Sequence, residues 1–561
     1  MLENIPAPTP KDDISVLVID NQGLVHEVIG SALHEIGIRE VTSAFNAFHA
    51  KRLCDAKEFD FVLIAFNVSQ DKDGFHLFEE LKHLGHIKDT TTVIFLSAET
   101  SPELVNCIVE LQPDDFWVKP LQRTLVESRL TYLIQARQKL HKMRYCMQNG
   151  DFAAAMYFAE RHLKNNDLQE YHPRIKRVIG DCLFQLKDFE AAEIYYRDLL
   201  QTMDHAWVHL GLVKTLLKRD ALQDTLAAVE NLLVRSDTKF LTLDLLAQFY
   251  IEKEQYNDAY EQMKEASRLA PRNIERNKRL WALARLNHDN VGQLSAVQNM
   301  AKFAKNSIHE SPQLTLNVIR SILDLATNLQ GDESEKYVTK AEAELNDFVQ
   351  VKGVQNFFSD QVDILRARLL CLKQRKTEAA ALMERHVVSI DGLSIEDSLD
   401  KMKAFHELGM REQCARVIDD LQKQIQGDAF ASQVVNAYLN QESIERKEIH
   451  FTAKELKHMA TVNYRENRLL PAFNNLKQAM TLSPHDKQLA LSLLKVSAQL
   501  KCLSMLSEQQ VEVALRAVDM LAAHSLSIAQ AKKRDQYIEA IGFKNSNSNY
   551  DGIMREVVSK N

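Results

Sequence analysis

The hydrophobic pattern of this chain changes near residue 135, and the change divides the chain into two kinds of fold. Before that point, short apolar runs alternate with stretches of helical periodicity. The runs cover residues 14–19, 61–64, 92–96 and 116–118, with a weaker one at 40–43. Continuous apolar strands separated by helices predict a five-stranded parallel sheet covered on both faces. In such a sheet, functional side chains collect at the carboxyl ends of the strands.

After about residue 138 the strand pattern stops, and apolar residues recur at helical spacing between short polar turns. Only 16 of 561 residues are Gly and 11 are Pro, which favours long helices. Two segments each contain three alanines followed by a proline, and the intervals between these residues are the same in both. The residues are Ala247, Ala259, Ala266 and Pro271 in the first segment, and Ala460, Ala472, Ala479 and Pro484 in the second. Small residues let two antiparallel helices approach closely, and the proline ends the second helix. A generic helical bundle is the alternative, because only Ala367 and Ala379 repeat the spacing between residues 290 and 440.

The repeated spacing resembles that of the tetratricopeptide repeat (TPR), and Gly180 and Ala192 share its first interval. The resemblance implies an all-α superhelix over residues 136–542, with an extended concave surface that binds proteins. The first helix of each pair would line that surface. Candidate contact residues on those helices are Arg177, Asp181, His209, Gln248 and Asn463. The Asn- and Ser-rich residues 543–561 are predicted to form a flexible tail.

Four of the predicted strands end in short groups of residues: Asp20-Asn21, Ala65-Phe66-Asn67, Ser97-Ala98 and Lys119-Pro120. In this order, the groups resemble the phosphorylation site of the receiver domain of two-component response regulators, over residues 13–135. The resemblance implies a flavodoxin-like α/β fold. In that family, two acidic residues after the first strand hold Mg²⁺, and an Asp after the central strand accepts the phosphoryl group. A Thr or Ser then contacts the phosphoryl group, and a Lys followed by a cis Pro ends the last strand.

Three positions agree with the receiver family. Ser97 matches the hydroxyl residue that contacts a phosphoryl oxygen. Lys119 matches the ammonium that pairs with the phosphorylated side chain, with Pro120 in the turn behind it. Phe116 lies shortly before that lysine and matches the aromatic rotamer switch of the family.

The two positions that carry the reaction disagree with the family. Ala65 stands at the acceptor position, and counting back from the glycine that ends the loop gives Phe66 instead. Asn21 replaces the second acidic residue and leaves Asp20 as the remaining carboxylate, whereas Mg²⁺ prefers several anionic oxygen ligands. Without an acceptor, Lys119 is expected to pair with Asp20, at a cost of about 0–1 kcal/mol on removal if the pair is solvent-exposed. The resemblance thus implies a degenerate phosphorylation site formed by Ala65, Asp20, Asn21, Asn67, Ser97 and Lys119. No cofactor is expected there, and Mg²⁺ would bind only if the acidic residues of the site were restored.

Two alternatives stay open at this site. Asp71 and Asp73, in the loop after the third strand of the chain, could substitute as acceptors, although loop acids are usually only solvated. An Asp→Ala replacement at position 65 would also explain the missing acceptor, but it would not explain Asn21.

The two parts are joined by residues 125–149, which contain no Gly or Pro and keep apolar residues at helical spacing. The last helix of the first part is therefore expected to run on into the first repeat helix and to couple the two parts rigidly. A break near residues 138–140 is the alternative.

Charge and cysteine content limit the functional classes. Residues 1–135 hold 11 Lys and Arg against 21 Asp and Glu, a net charge of −10, whereas the remainder holds 58 against 56. Neither part has the basic excess expected of a nucleic-acid binder. Seven scattered cysteines without a CxxC pair indicate a reducing cytoplasm, and no apolar run reaches the roughly 18 residues of a membrane span.

These features predict a non-enzymatic adaptor in bacterial two-component signal transduction, a pseudo-receiver coupled to a protein-binding TPR solenoid. The expected partner is a sensor histidine kinase or another regulator, because the acidic receiver suits a basic surface. The alternative is a phosphorylatable regulator, with a native Asp at position 65 or another acceptor, whose phosphorelay output is protein binding by the TPR region. An enzyme within residues 290–440 is a weaker hypothesis, because no catalytic constellation is apparent there.

Overall fold

The computed structural model describes residue 5 and residues 7–543, except for 69–71, 236, 330, 352, 354–356, 387–393, 428–432 and 450. Asp71 and, apart from Phe543, the predicted tail at 543–561 lie outside the described residues. The chain forms two compact units. The first unit comprises Met1–Leu280 and Asn299–Ser311, and the second comprises Trp281–Gln298 and Pro312–Asn561.

The first unit begins with a five-stranded parallel sheet in the order β2-β1-β3-β4-β5. Its strands are β1 (Ser15–Ile19), β2 (Glu40–Ala44), β3 (Phe61–Ala65), β4 (Thr92–Ser97) and β5 (Asp115–Val118). The flanking helices are α1 (Gly23–Glu35), α2 (Ala47–Ala56), α3 (Gly74–His83), α4 (Pro102–Glu110) and α5 (Arg123–Lys139). Every residue of β1, β3 and β4 is buried, as expected for apolar strands with helices on both faces. The predicted α/β fold is confirmed.

Two apolar layers cover this sheet. Val18 and Leu96 belong to the layer that α1 and α5 complete. Leu17 and Phe95 belong to the opposite layer, with residues of α2, α3 and α4. The second layer also contains Phe240 from a helix far along the chain, so the α3–α4 side of the domain packs against later helices of the same unit.

An all-helical region follows in the first unit. Its helices are α6 (His141–Gln148), α7 (Phe152–Leu163), α8 (His172–Gln185), α9 (Phe189–Leu200), α10 (Ala206–Lys218), α11 (Leu222–Val234), α12 (Lys239–Glu252) and α13 (Tyr256–Leu269). Two helices have residues in both units, namely α14 (Ile274–Leu286) and α15 (Asn290–Ala304).

The second unit is helical as well. Its remaining helices are α16 (Pro312–Asn328), α17 (Asp332–Gln350), α18 (Ser359–Leu372), α19 (Lys376–Met383), α20 (Ile395–Leu408), α21 (Arg411–Gly427), α22 (Gln433–Glu448), α23 (Ala453–Arg465), α24 (Leu469–Leu482), α25 (Lys487–Cys502), α26 (Glu508–Ala523) and α27 (Ile528–Ile541). Within the described part of the chain, we find no helix with the length and apolar character needed to cross a membrane.

The small residues of the predicted repeat lie between packed helices. The repeat alanines in α12, α13, α23 and α24 are at most 2% exposed: Ala247, Ala259, Ala266, Ala460, Ala472 and Ala479. Gly180 and Gly211 make room for Tyr196 of α9. A Cβ on Gly180 would lie 2.6 Å from the Tyr196 hydroxyl oxygen, and a Cβ on Gly211 would lie 2.4 Å from its Cζ. The predicted helix pairs with small contact residues are therefore confirmed.

Residues other than glycine form the turns within several helix pairs. Lys187, Glu254 and Asn467 have φ angles of 62°, 60° and 58°, in the left-handed region. This conformation costs about 1–2 kcal/mol for a residue with a Cβ. Each turn also returns an N–H to the preceding helix, as in the 3.0 Å bond from Lys187 N to the Phe184 carbonyl. Such turns explain how so many helix pairs occur in a chain with few glycines.

The helices α5 and α6 are separate, so the expected continuous helix over residues 125–149 is wrong. Leu140 lies between them with φ −98° and ψ 12°, which places the break where the alternative put it. Leu140 is 2% exposed and packs in a cluster with Ala136, Met143 and Tyr171. The break coincides with the burial of Leu140, so we attribute it to packing that overrides a locally helical sequence.

Candidate functional site

The carboxyl ends of β1 and β5 bring Asp20 and Lys119 together. Lys119 Nζ lies 2.5 Å from Asp20 Oδ2, and the side chains are 11% and 0% exposed. The contact is an ion pair without hydrogen-bond alignment, because Oδ2 has no hydrogen-bond partner. The other oxygen, Oδ1, accepts a 2.9 Å bond from the Gln22 backbone N–H. The pair is therefore buried rather than solvent-exposed. The peptide bond from Lys119 to Pro120 is cis, as the resemblance to the receiver family implies.

Ser97, at the end of β4, is engaged by its own loop. Its Oγ donates a 2.9 Å hydrogen bond to the Glu99 carbonyl and accepts one of 3.0 Å from the Glu99 N–H. Phe116 of β5 is half-buried at the edge of the apolar layer on the α3–α4 side. Asn21 and Asn67 are exposed. Ser97 is thus the last residue of β4 and Phe116 the second residue of β5, and the roles predicted for them stay predictions.

The acceptor position is enclosed. Ala65 is completely buried and lies in an apolar cluster with Phe66 and Phe75. Gly74 packs against the end of β3, and its N–H donates a 2.7 Å hydrogen bond to the Phe66 carbonyl oxygen. A Cβ on Gly74 would lie 2.1 Å from the Ala65 carbonyl oxygen, so only glycine fits. Position 65 offers neither a nucleophile nor an accessible surface.

The residues do not fit a magnesium ion. Asp20 supplies one carboxylate, and its negative charge faces Lys119. Mg²⁺ requires several oxygen ligands in near-octahedral geometry. Across the described ranges, no group of three or more His, Cys, Asp or Glu side chains is arranged to hold a metal ion.

Asp73, one of the two alternative acceptors, has structural partners. It caps α3 by accepting a 3.0 Å bond from the His76 N–H, and it pairs with Arg272. Arg272 also places its guanidinium 4.9 Å from the Phe66 ring centroid and 5.4 Å from that of Phe303. Both ends of the loop after β3 are thus in contact with a single arginine from the helical region.

A second arginine binds the end of α4. Arg276 is 3% exposed, and its NH1 donates a 3.2 Å hydrogen bond to Glu110 Oε2. Its Nε donates a 3.0 Å bond to Asp244 Oδ1, and NH1 also donates to the Ala270 carbonyl at 2.9 Å. Asn273 adds a 2.5 Å hydrogen bond to Glu110 Oε1. We call these contacts, with those of Arg272, the α3–α4 clasp.

A half-buried carboxyl group, that of Glu79, lies near the clasp residues Asp73 and Glu110. Burial, with the nearby carboxylates of Asp73 and Glu110, raises the pKa of Glu79 to about 7. His309 Nε2 lies 3.9 Å from Glu79 Oε1. Burial lowers the pKa of His309 and of His76, whose Nε2 contacts the Phe303 carbonyl oxygen at 2.8 Å.

Sequence analysis missed the clasp, although one signal for it exists. Arg272 and Arg276 lie one and five residues after Pro271 of the repeat, where the positions after Pro484 hold His485 and Leu489. The two arginines therefore depart from the repeat pattern. Such departures mark positions with a role outside the helix pairing.

Three of the predicted concave contact residues, Arg177, Asp181 and Gln248, are exposed. His209 is half-buried and its Nε2 lies 2.6 Å from Asp204 Oδ1, while Asn463 is half-buried. These residues keep their status as predictions.

Comparison with known proteins identifies the first part of the chain. Residues 16–131 match the family model of the response regulator receiver domain. No curated protein matches the chain. Among solved structures, the chain is similar to the BeF3-activated DrrB receiver domain, at 20% identity over 22% of this chain and 97% of that chain, with a TM-score of 0.19.

Two similar structures extend over the helical region. One is the APC/C hetero-tetramer Cut9–Hcn1, at 13% identity over 75% of this chain and 86% of that chain, with a TM-score of 0.34. The other is yeast Tom70, at 12% identity over 77% of this chain and 99% of that chain, with a TM-score of 0.23. Likenesses of this size do not establish a function.

Proposed function

We propose that this chain, in which a receiver domain precedes TPR-like helices, is a non-enzymatic adaptor in bacterial two-component signal transduction. The observation that carries the proposal is the acceptor site. Ala65 has no nucleophile and no exposed surface, and Lys119 already pairs with Asp20. A receiver with this site would not be phosphorylated and would act as a pseudo-receiver.

Protein binding is the activity that remains for such a chain. Helix pairs present extended surfaces suited to other proteins. The receiver also exposes apolar side chains next to its strand ends, with Leu24, Phe48 and Leu125 at 71%, 72% and 50% exposure. Contiguous exposed apolar patches often mark protein contacts, and these three side chains are the candidates for such a patch on the receiver. The partner class that fits an acidic receiver is a sensor histidine kinase or another regulator with a basic surface.

Phosphorylation silence is tested with acetyl phosphate and with beryllofluoride, each with Mg²⁺. The full chain should show no acid-labile phosphoryl adduct by mass spectrometry and no change in Trp117 fluorescence. The matched variant carries Asn21→Asp and Ala65→Asp. It should be labelled in part, because Ser97 and Lys119 remain at their strand ends.

An adduct on the unmodified chain would refute the proposal. A folded double variant that stays unlabelled would show instead that the loop ending at Gly74 closes the site, which leaves the proposal intact. The alternative function is a phosphorylatable regulator, with a native Asp at position 65 or another acceptor, whose output is protein binding by the TPR region. Reading codons 21 and 65 of the gene distinguishes the two.

The adaptor role is tested by affinity capture with the full chain and crosslinking of the captured proteins. We expect a two-component protein to crosslink to the receiver or to the exposed helix surfaces. A matched chain with Leu24→Asp and Phe48→Asp separates the two surfaces, because it changes only the receiver's exposed apolar residues. Capture of no two-component protein by either chain would contradict the signalling assignment.

A further inference from the structure

A groove of about 440 Å³ lies in the first unit at the edge of the sheet opposite to Asp20 and Lys119. Residues that precede β4 and β5 form one wall, and α6 and α8 form the other. The groove therefore lies where the receiver meets the first repeat helices. Its volume is in the range of sites that bind small molecules, about 300–1,000 Å³.

The charged side chains that line the groove are mainly basic. Five are cationic and three are acidic: Lys82, Lys88, Arg144, Arg174 and Arg177 against Asp89, Asp114 and Asp181. The net charge of this lining is +2, and the excess comes from Arg144, Arg174 and Arg177 on α6 and α8. A local positive excess in a groove favours an anionic ligand.

Two of these arginines are weakly paired. The nearest carboxylate oxygen to Arg144 NH2 is Asp114 Oδ1 at 3.8 Å, and the nearest to Arg177 Nε is Asp181 Oδ2 at 3.9 Å. Both distances exceed the roughly 2.7–3.2 Å of a hydrogen bond. Asp114 is also committed elsewhere, since its Oδ2 accepts a 3.1 Å bond from the Val93 N–H. The guanidinium groups thus retain donors for a ligand.

The charges around Arg144 also favour the binding of an anion. Burial lowers the pKa of Arg144, and the adjacent Arg174 lowers it further by repulsion, against the attraction of Asp114. Arg174 is held in place, because NH2 donates a 3.2 Å bond to the Asp114 carbonyl and the guanidinium lies 5.6 Å from the Tyr132 ring centroid. A bound anion would relieve the repulsion between the two arginines.

The uncharged part of the lining is mostly apolar, with Thr91 and Gln112 as its polar members, and offers contacts to a planar or hydrophobic portion of a ligand. Its larger apolar side chains are Phe78, Ile87, Leu111, Leu140, Met143 and Val178. Guanidinium groups match phosphate oxygens in a bidentate fork. We propose that this groove binds a small phosphate-bearing molecule of mononucleotide size, with its phosphate between Arg144 and Arg177. Such a ligand would contact both the receiver and the repeat helices, and would stabilise their junction.

The test is isothermal titration calorimetry of the full chain with AMP and GMP. Adenosine serves as the uncharged counterpart and pyrophosphate as the phosphate alone. The groove variants are Arg144→Gln and Arg177→Gln. The matched control is Arg197→Gln, since Arg197 is a half-exposed arginine of α9 that pairs with Glu193 and does not line the groove. Circular dichroism confirms that each variant is folded, and Arg144→Lys retains the charge without the fork.

We expect saturable binding of a mononucleotide that weakens about tenfold in each groove variant, the loss of one charge-assisted hydrogen bond. Binding should be unchanged in Arg197→Gln, only partly restored in Arg144→Lys, and weaker at high salt. Absence of saturable binding at millimolar concentration, or binding indifferent to both groove variants, would overturn the proposal. Tighter binding of hexaglutamate than of either nucleotide would overturn it as well, by assigning the groove to an acidic protein segment.

Discussion

Removing Lys119 should destabilise the receiver far more than the loss of an exposed ion pair would. Asp20 has no exposed surface, and Lys119 is 11% exposed. Lys119→Met would leave the carboxylate buried, with the Gln22 N–H as a single hydrogen-bond donor to Oδ1. Breaking a buried pair in this way costs about 3–5 kcal/mol, against about 0–1 kcal/mol for a solvent-exposed pair.

The assay is urea unfolding followed by the fluorescence of Trp117. The chain has three tryptophans, so Trp207→Phe and Trp281→Phe leave Trp117 as the single reporter. Trp117 is 3% exposed and its Nε1 donates a 2.7 Å hydrogen bond to Asp115, which makes its emission sensitive to unfolding of β5. A lower midpoint at unchanged slope measures the loss of stability.

Two controls make the result interpretable. Arg123→Ala removes a cation of α5 whose side chain is 49% exposed, and should cost at most about 1 kcal/mol. Asp20→Asn combined with Lys119→Met removes both charges and should recover most of the loss. If Lys119→Met costs no more than Arg123→Ala, or if the double variant is no more stable than the single one, the buried pair does not stabilise this domain.

Three further predictions concern the first unit. Gly211→Val should lower the free energy of unfolding by about 1–3 kcal/mol, because its Cβ would lie 2.4 Å from the Tyr196 ring; urea unfolding by circular dichroism measures this. Arg276→Ala should cost about 3–5 kcal/mol at the clasp, because Glu110 would stay buried without its cation, and faster hydrogen–deuterium exchange in α4 would report it. The pKa of Glu79 is raised from 4.5 to about 7, so its contribution is fully present below pH 4.5 and is lost as the pH rises through 7. Between pH 5 and pH 8 the stability of the clasp should therefore fall by about 1–2 kcal/mol more in the original chain than in Glu79→Gln, a figure reduced because Glu79 is partly exposed. Hydrogen–deuterium exchange in α3 measures this difference.

Each of these predictions has an outcome that would contradict it. A Gly211→Val chain as stable as the original would show that Tyr196 has other space to occupy. Exchange in α4 that is no faster in Arg276→Ala than in Arg276→Lys would mean that the clasp does not hold α4. An equal pH response of the original chain and Glu79→Gln would exclude Glu79 as the titrating group, because His76 and His309, whose pKa values burial lowers, would change stability in the opposite direction.

The sheet and the identity of the strand-end residues could be predicted because they depend on local pattern. Strands covered on both faces are continuous apolar runs, and a parallel sheet places their carboxyl ends at one edge. Asp20, Ser97 and Lys119 follow those runs directly. The burial of the Asp20–Lys119 pair could not be predicted, because it depends on how the surrounding loops close over the strand ends.

The break at Leu140 and the α3–α4 clasp could not be predicted from local pattern. Helical spacing without Gly or Pro predicts a continuous helix, and only the packing of Leu140 against distant residues ends it. The clasp joins residues far apart in the chain, since Arg272 and Asp73 are 199 positions apart. The sequence shows that Arg272 differs from His485, the residue at the equivalent repeat position, but it does not show what Arg272 contacts.

The buried pair and the clasp engage charged groups on two sides of the receiver domain. Inside the domain, Lys119 is neutralised by Asp20. Outside it, Arg272 holds both ends of the loop after β3, through the ring of Phe66 and the carboxylate of Asp73. A ligand shifts a conformational equilibrium only by its difference in affinity for the two states. Under the proposed function, position 65 holds no acceptor and a phosphoryl group would not supply that difference, whereas a protein that competes for Arg272 and Arg276 would. Control of this receiver is therefore expected to come through contacts of the helical region rather than through chemistry at position 65.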